Sequence, residues 1–150
     1  MRAMKNVVGM ALALSMLAAV GFAGPSEPVD YADAGLAPFF LSETHDERVW
    51  VEEGTATIRE HEVTQGRGRV VDTYHVRATF SGLGEGEKEY TGSYDLTEIT
   101  VFGSRGAYVY TRNERVTLTC QDGITDRSHT VERITVNANG EVVVNFVKEK

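Results

Sequence analysis

A single cysteine, Cys120, in 150 residues rules out an internal disulfide and any Cys-x-x-Cys metal or redox motif. Basic residues are in the minority, 15 Lys and Arg against 22 Asp and Glu, for a net charge of −7. Such a surface repels nucleic acid and anionic lipid. No basic stripe with interleaved aromatics offsets it, so no nucleic-acid partner is expected. GxSxG and HExxH are absent, and Ser, His and Asp show no triad-like spacing. No asparagine stands in an N-x-Ser/Thr context. Neither a metal nor a cofactor is expected from these patterns, and no catalytic residue stands out.

The apolar run Val7 to Val20 follows Arg2 and Lys5 and ends at Gly21 and Ala23, small residues suited to a cleavage site after Ala23. It is short for a transmembrane span, which takes roughly 20 apolar residues. Residues 1–23 read as a signal peptide, with no nearby cysteine to accept a lipid. The expectation is a secreted or periplasmic protein with no membrane attachment once the signal is removed. Losing Arg2 and Lys5 takes the net charge to about −9 by the same counting. The remaining chain has the size of one domain.

Residues 24–47 form an irregular lead-in. It opens on GPSEP and continues with YADAGLAPFFLSE, which carries Tyr31, Leu36, Phe39, Phe40 and Leu41. Pro38 limits any helix here to about a turn. The alternative is an extended plug.

From residue 48 to 150 the helix period is missing and the strand period of two prevails. Strands are expected over 49–63, 70–81, 87–102, 107–121, 129–138 and 141–148. TQGRGR, GLGEG, GSRG, DGITD and NG supply the turns between them. The fold class is all-β, an antiparallel up-and-down meander. A closed or nearly closed β-barrel of six to eight strands would remove its exposed edges. Asn139-Gly140 suits a two-residue type I′ turn, placing Ala138 opposite Glu141, Val136 opposite Val143 and Ile134 opposite Asn145. That last strand is apolar on both faces, so a cover is expected, and the Phe39-Phe40-Leu41 segment is the candidate.

Two histidines flank the first turn. Pairing Val63 with Val71 puts Gly54, Ala56 and Ile58 on an inner face, with Trp50 further along. His61 and His75 then lie on the wet face beside Arg59 and Arg77, and cannot supply the three or four ligands of a zinc site. Cys120 sits in the alternating run VTLTC and reads as a small core residue. A reactive thiol needs a basic neighbour, and none is visible locally.

The third and fourth strands hold the candidate site. A five-residue loop puts Phe102 opposite Tyr108, Glu98 opposite Arg112 and Tyr94 opposite Val116. Tyr94, Glu98, Tyr108, Tyr110, Arg112 and Glu114 then share a face. If that face is interior, it forms a polar pocket in which Arg112 anchors an anionic group of a small molecule. A shorter GSRG loop would shift the register and move the charges to the rim.

Several motifs carry nothing. GLGEGE, Gly82 to Glu87, lacks the helix and lysine of a phosphate loop. DERVWVEEG lacks calcium-loop spacing. The charged FVKEK end and polar outer faces argue against a transmembrane barrel.

The signal pattern, GTATI and the C-terminal ITVNANGEVVVNF resemble small secreted bacterial proteins of unknown function. The resemblance implies a streptavidin- or lipocalin-like barrel and transfers no functional residue. Three functions remain open. One is a non-enzymatic carrier of a small molecule. Another is a barrel isomerase or cyclase using Glu98 or Glu114 as general acid or base. The third is an interaction module for a protein partner, with a solid core, and the oligomeric state is open.

Overall fold

The computed structural model describes residues 27–149, so the expected signal peptide, residues 1–23, lies outside it. The described chain is all-β. Its strands are β1 (Val29–Asp30), β2 (Phe39–Ser42), β3 (Glu47–Gln65), β4 (Arg69–Gly84), β5 (Glu89–Phe102), β6 (Tyr108–Cys120), β7 (Thr125–Val136) and β8 (Val142–Glu149). Strands β3 to β8 run as one antiparallel meander, each hydrogen-bonded to the next. The lead-in is less irregular than its composition suggests. Both β1 and β2 pair with the other edge of β3, at residues 55–56 and 47–50.

The expected register of the first long hairpin holds, and of the two left open for the next the five-residue loop is the one formed. Val63 faces Val71, Ile58 faces Val76 and Ala56 faces Ala78 across β3 and β4. Phe102 faces Tyr108 and Glu98 faces Arg112 across β5 and β6. The turn of residues 103–107 has the longer length, with Arg105 at φ 62° and Gly106 at φ 78°. Alternation then decides the rest, because side chains two apart share a face. One side of the sheet carries Ala56, Val76, Ala78, Phe80, Tyr90, Tyr94, Leu96, Val116, Leu118 and Cys120, all buried.

The lead-in covers this core side. Phe40 stacks on Phe80 at 4.8 Å between ring centroids and tilts against Tyr94 at 5.8 Å. Tyr31 meets Phe80 from the other side at 5.5 Å. Burying two such aromatics contributes on the order of 1.5–3 kcal/mol each. The segment makes one turn, where the Ala34 N–H donates to the Asp30 carbonyl at 3.0 Å, and is extended at Phe39–Ser42.

Four expectations are corrected. The barrel does not close: among the described residues β8 pairs only with β7, and no pairing joins it to β3. The edge of β3 that closure requires is partly taken by β1 and β2. Trp50 faces outward, 45% exposed, while Val49 is fully buried. A bulge between Val51 and Glu53 inserts one residue into β3 and reverses its alternation.

The β7–β8 turn is not type I′, since Gly140 has a positive φ and Asn139 does not. Asn137 Oδ1 accepts from the N–H groups of Asn139 and Glu141, which closes a three-residue loop. Val136 consequently faces Val142, and a bulge restores Ile134 opposite Asn145. Finally, the Phe39-Phe40-Leu41 segment lies on β3 and does not cover β8. Val142, Val143, Val144, Phe146 and Val147 are 44–59% exposed.

Candidate functional site

Five of the six predicted site residues gather on the core side of β5 and β6. The Tyr110 hydroxyl donates to Glu98 Oε1 at 2.6 Å. Arg112 pairs with Glu114 through a terminal guanidinium nitrogen, and its Nε lies 3.9 Å from Glu98 Oε1. Burial raises the Tyr94 hydroxyl to about 12, and the Glu114 charge adds to it. Burial likewise raises Tyr110, helped by its bond to Glu98. Tyr108 shares the face but packs on Phe102 instead, 6.4 Å between centroids.

The cluster has used its own cation. Arg112 already faces two carboxylates, so the trio carries a net negative charge. An incoming anion would meet Glu98 and Glu114 along with the guanidinium. At the Tyr94 end of the cluster, Phe40 packs against the Tyr94 ring at 5.8 Å between centroids. The arrangement suits an internal ion cluster, paired as half-buried charges must be, better than an anion anchor.

The histidines of the first hairpin are where the register puts them. His61 faces Thr73 and His75 faces Arg59 on the outer side. His75 Nδ1 contacts Thr97 Oγ1 at 2.8 Å, and His129 contacts Asn113 at 2.8 Å. A groove of about 700 Å³ crosses that outer side, lined by hydroxyls that include Thr55, Thr79, Thr91, Ser93, Thr117 and Thr119.

A second polar cluster is absent from the sequence reading. It forms where the β2–β3 turn meets the β6–β7 turn. His45 Nε2 lies 2.8 Å from Asp122 Oδ2. His45 Nδ1 lies 3.2 Å from Ser42 Oγ, and Ser42 Oγ donates to Asp126 Oδ2 at 2.6 Å. Thr44 donates to the other oxygen of Asp126. Tyr90 donates to Glu47 at 2.5 Å and meets the His45 ring edge-on. Cys120 joins the group: its Sγ, a His45 ring nitrogen and an Asp122 oxygen lie within 4.8 Å of one another.

The electrostatics follow from these bonds. The Ile124 N–H and His45 hold Asp122 down to about 2. Burial pushes Asp126 up, but bonds from Ser42 and Thr44 outweigh it and its carboxyl ends below the ordinary range. Tyr90 and the Gly86 N–H lower Glu47 in the same way.

Cys120 is buried, as its alternating run implied. The basic neighbour missing from its local sequence arrives from His45, 75 positions earlier. The local spacings Ser42-x-x-His45 and Cys120-x-Asp122 are the only trace of the cluster in the sequence.

No protein-family model matches the chain, and neither a curated protein nor a solved structure matches it.

Proposed function

We propose that the protein is an exported, non-enzymatic interaction module whose partner is a second copy of itself, joined through β8. The observation that carries this reading is the edge of β8. Its VVVNFV run is apolar on both faces and exposed, and among the described residues no strand pairs with its outer side. Natural sheets blunt such an edge with proline, inward charges or a cover. The first seven residues of β8, through Val147 and Lys148, hold no proline and one charge, at Lys148.

The choice of partner comes from the order of residues. About Asn145 the pattern Val143-Val144-Asn145-Phe146-Val147 reads the same in both directions as apolar, apolar, polar, apolar, apolar. A two-fold axis perpendicular to the sheet at Asn145 keeps each face on the same side. Val144 then opposes Phe146 of the second copy on one face, and Val143 opposes Val147 on the other. Asn145 meets its counterpart on the axis, where two carboxamides bond to each other. Glu141 and Glu149 oppose each other at the solvated ends, which weakens the pair. One strand pair is smaller than the roughly 1,200 Å² of a stable interface, so micromolar exchange is expected.

Sedimentation velocity tests this reading. The mature chain should pass from monomer to dimer between about 1 µM and 1 mM, the range of a micromolar Kd. Phe146→Lys changes an exposed side chain and should leave a folded monomer throughout. Wild-type protein that stays monomeric at the top of the range overturns self-pairing.

A further inference from the structure

We propose that His45, Cys120 and Asp122 form a binding site for one divalent metal ion of the zinc class. The site goes beyond the edge-pairing reading and does not depend on it.

The first support is the donor set. An imidazole nitrogen, a thiol sulfur and a carboxylate oxygen stand within 4.8 Å of one another. This is the mixture that a borderline cation such as Zn²⁺ selects, whereas Ca²⁺ and Mg²⁺ select oxygen alone. Tetrahedral coordination at Zn–N of about 2.0 Å and Zn–S of about 2.3 Å sets the ligand atoms roughly 3.5 Å apart. His45 and Asp122 therefore part slightly, and the Cys120 sulfur closes in.

The second support is the aim of the imidazole. Ser42 Oγ donates to Asp126 Oδ2 at 2.6 Å and lies 3.2 Å from His45 Nδ1. Thr44 donates to the other Asp126 oxygen. With Nδ1 held by Ser42, the ring turns Nε2 toward Asp122 Oδ2 at 2.8 Å. That separation is a hydrogen-bond contact, so an ion takes the place of the shared proton as the two groups part, with Cys120 Sγ as its third ligand. When the metal binds, the Cys120 thiol proton and any Nε2 proton leave to solvent.

The third support is the shell behind the ligands. A histidine ligand usually donates its other ring N–H to an oriented acceptor. Here that acceptor is Ser42, 1% exposed and itself tied to Asp126. Asp122 Oδ1 accepts from the Ile124 N–H at 3.0 Å, which leaves Oδ2 for the ion. Both Glu47 oxygens are engaged, by Tyr90 and Gly86, so Glu47 is not the fourth ligand. Asp122 is 40% exposed while the His45 side chain is 8% exposed, so the open position faces solvent. Three protein ligands with an open fourth place is the layout of a site that keeps a water or takes an outside ligand. The ion also staples the β2–β3 turn to the β6–β7 turn and so holds the lead-in on the core.

The test is titration of the full mature chain, first freed of metal, with Co²⁺ and then Zn²⁺. One Co²⁺ per chain should bind with a thiolate-to-cobalt charge-transfer band, and Zn²⁺ should displace it. Cys120→Ser should abolish the band. Asp122→Asn, at an exposed position, should keep the fold and weaken binding at least tenfold. Ser42→Ala should weaken Zn²⁺ binding by about 10- to 100-fold, the effect of removing an outer-shell partner. Wild-type protein that takes up no metal at tenfold excess overturns the proposal. So does an Asp122→Asn chain that binds as wild type does, which would take Asp122 out of the site.

Discussion

The ring of Phe80 lies across the backbone of Gly92 on the neighbouring strand, so close that a Cβ on Gly92 would sit 2.2 Å from its edge. Phe80 cannot retreat, because Phe40 and Tyr31 pack against it. The missing side chain on β5 is the space that the central aromatic of the core occupies.

Local propensity and packing thus predict opposite signs for Gly92→Ala. In a free strand the change gains about 0.5–1 kcal/mol. Here overpacking costs roughly 1–3 kcal/mol and should win. Urea unfolding should show a net loss, and the double variant Phe80→Leu with Gly92→Ala should recover part of it. A more stable Gly92→Ala protein would show that Phe80 is not held where it lies.

Arg112→Met should cost about 1–3 kcal/mol at neutral pH. The Glu98 and Glu114 charges lose their common partner, and partial exposure screens the effect below that of a deeply buried pair. Adding Glu98→Gln and Glu114→Gln to the same chain should restore most of the loss. If the triple variant stays as unstable as Arg112→Met, the arginine acts through packing of its stem and not through charge.

Acid should release the lead-in of metal-free protein. Asp122, Asp126 and Glu47 are all lowered in the folded state. Their stabilisation is therefore complete above the unfolded values, about 3.9 for Asp and 4.3 for Glu. It fades as pH falls through the folded values, toward about 2 for Asp122. Trp50, the single tryptophan, touches Phe39 of β2 at 5.1 Å between centroids and reports the detachment. Its emission should change between about pH 4 and 2. A signal unchanged down to pH 2 would mean these carboxylates do not hold the lead-in.

The β7–β8 loop offers a local test. Asn137→Ala removes the acceptor for two backbone N–H groups and should cost about 1 kcal/mol. Amide exchange should quicken at Asn139 and Glu141 first. Unchanged exchange there would mean that the Asn137 side chain does not set the loop.

The sequence by itself determined the all-β meander and the pairing of its first long hairpin. Alternating Thr, Val, Tyr and Ile residues select one face for burial, and a one-residue slip would invert every side chain. That is why His61 opposite Thr73 could be placed by counting from a turn, whereas Glu98 opposite Arg112 waited on the length of the residue 103–107 loop. The tertiary structure decided what counting along a strand cannot reach. The bulge that turns Trp50 outward comes from fitting β3 against Gly82 and Ser81. The open sheet comes from β1 and β2 taking part of the edge that β8 would need. The meeting of His45 with Cys120 and Asp122 depends on folding the lead-in over the core. Strand periodicity is a local property, readable within a dozen residues. A cluster joined across 75 residues is fixed only when the chain between its parts has packed.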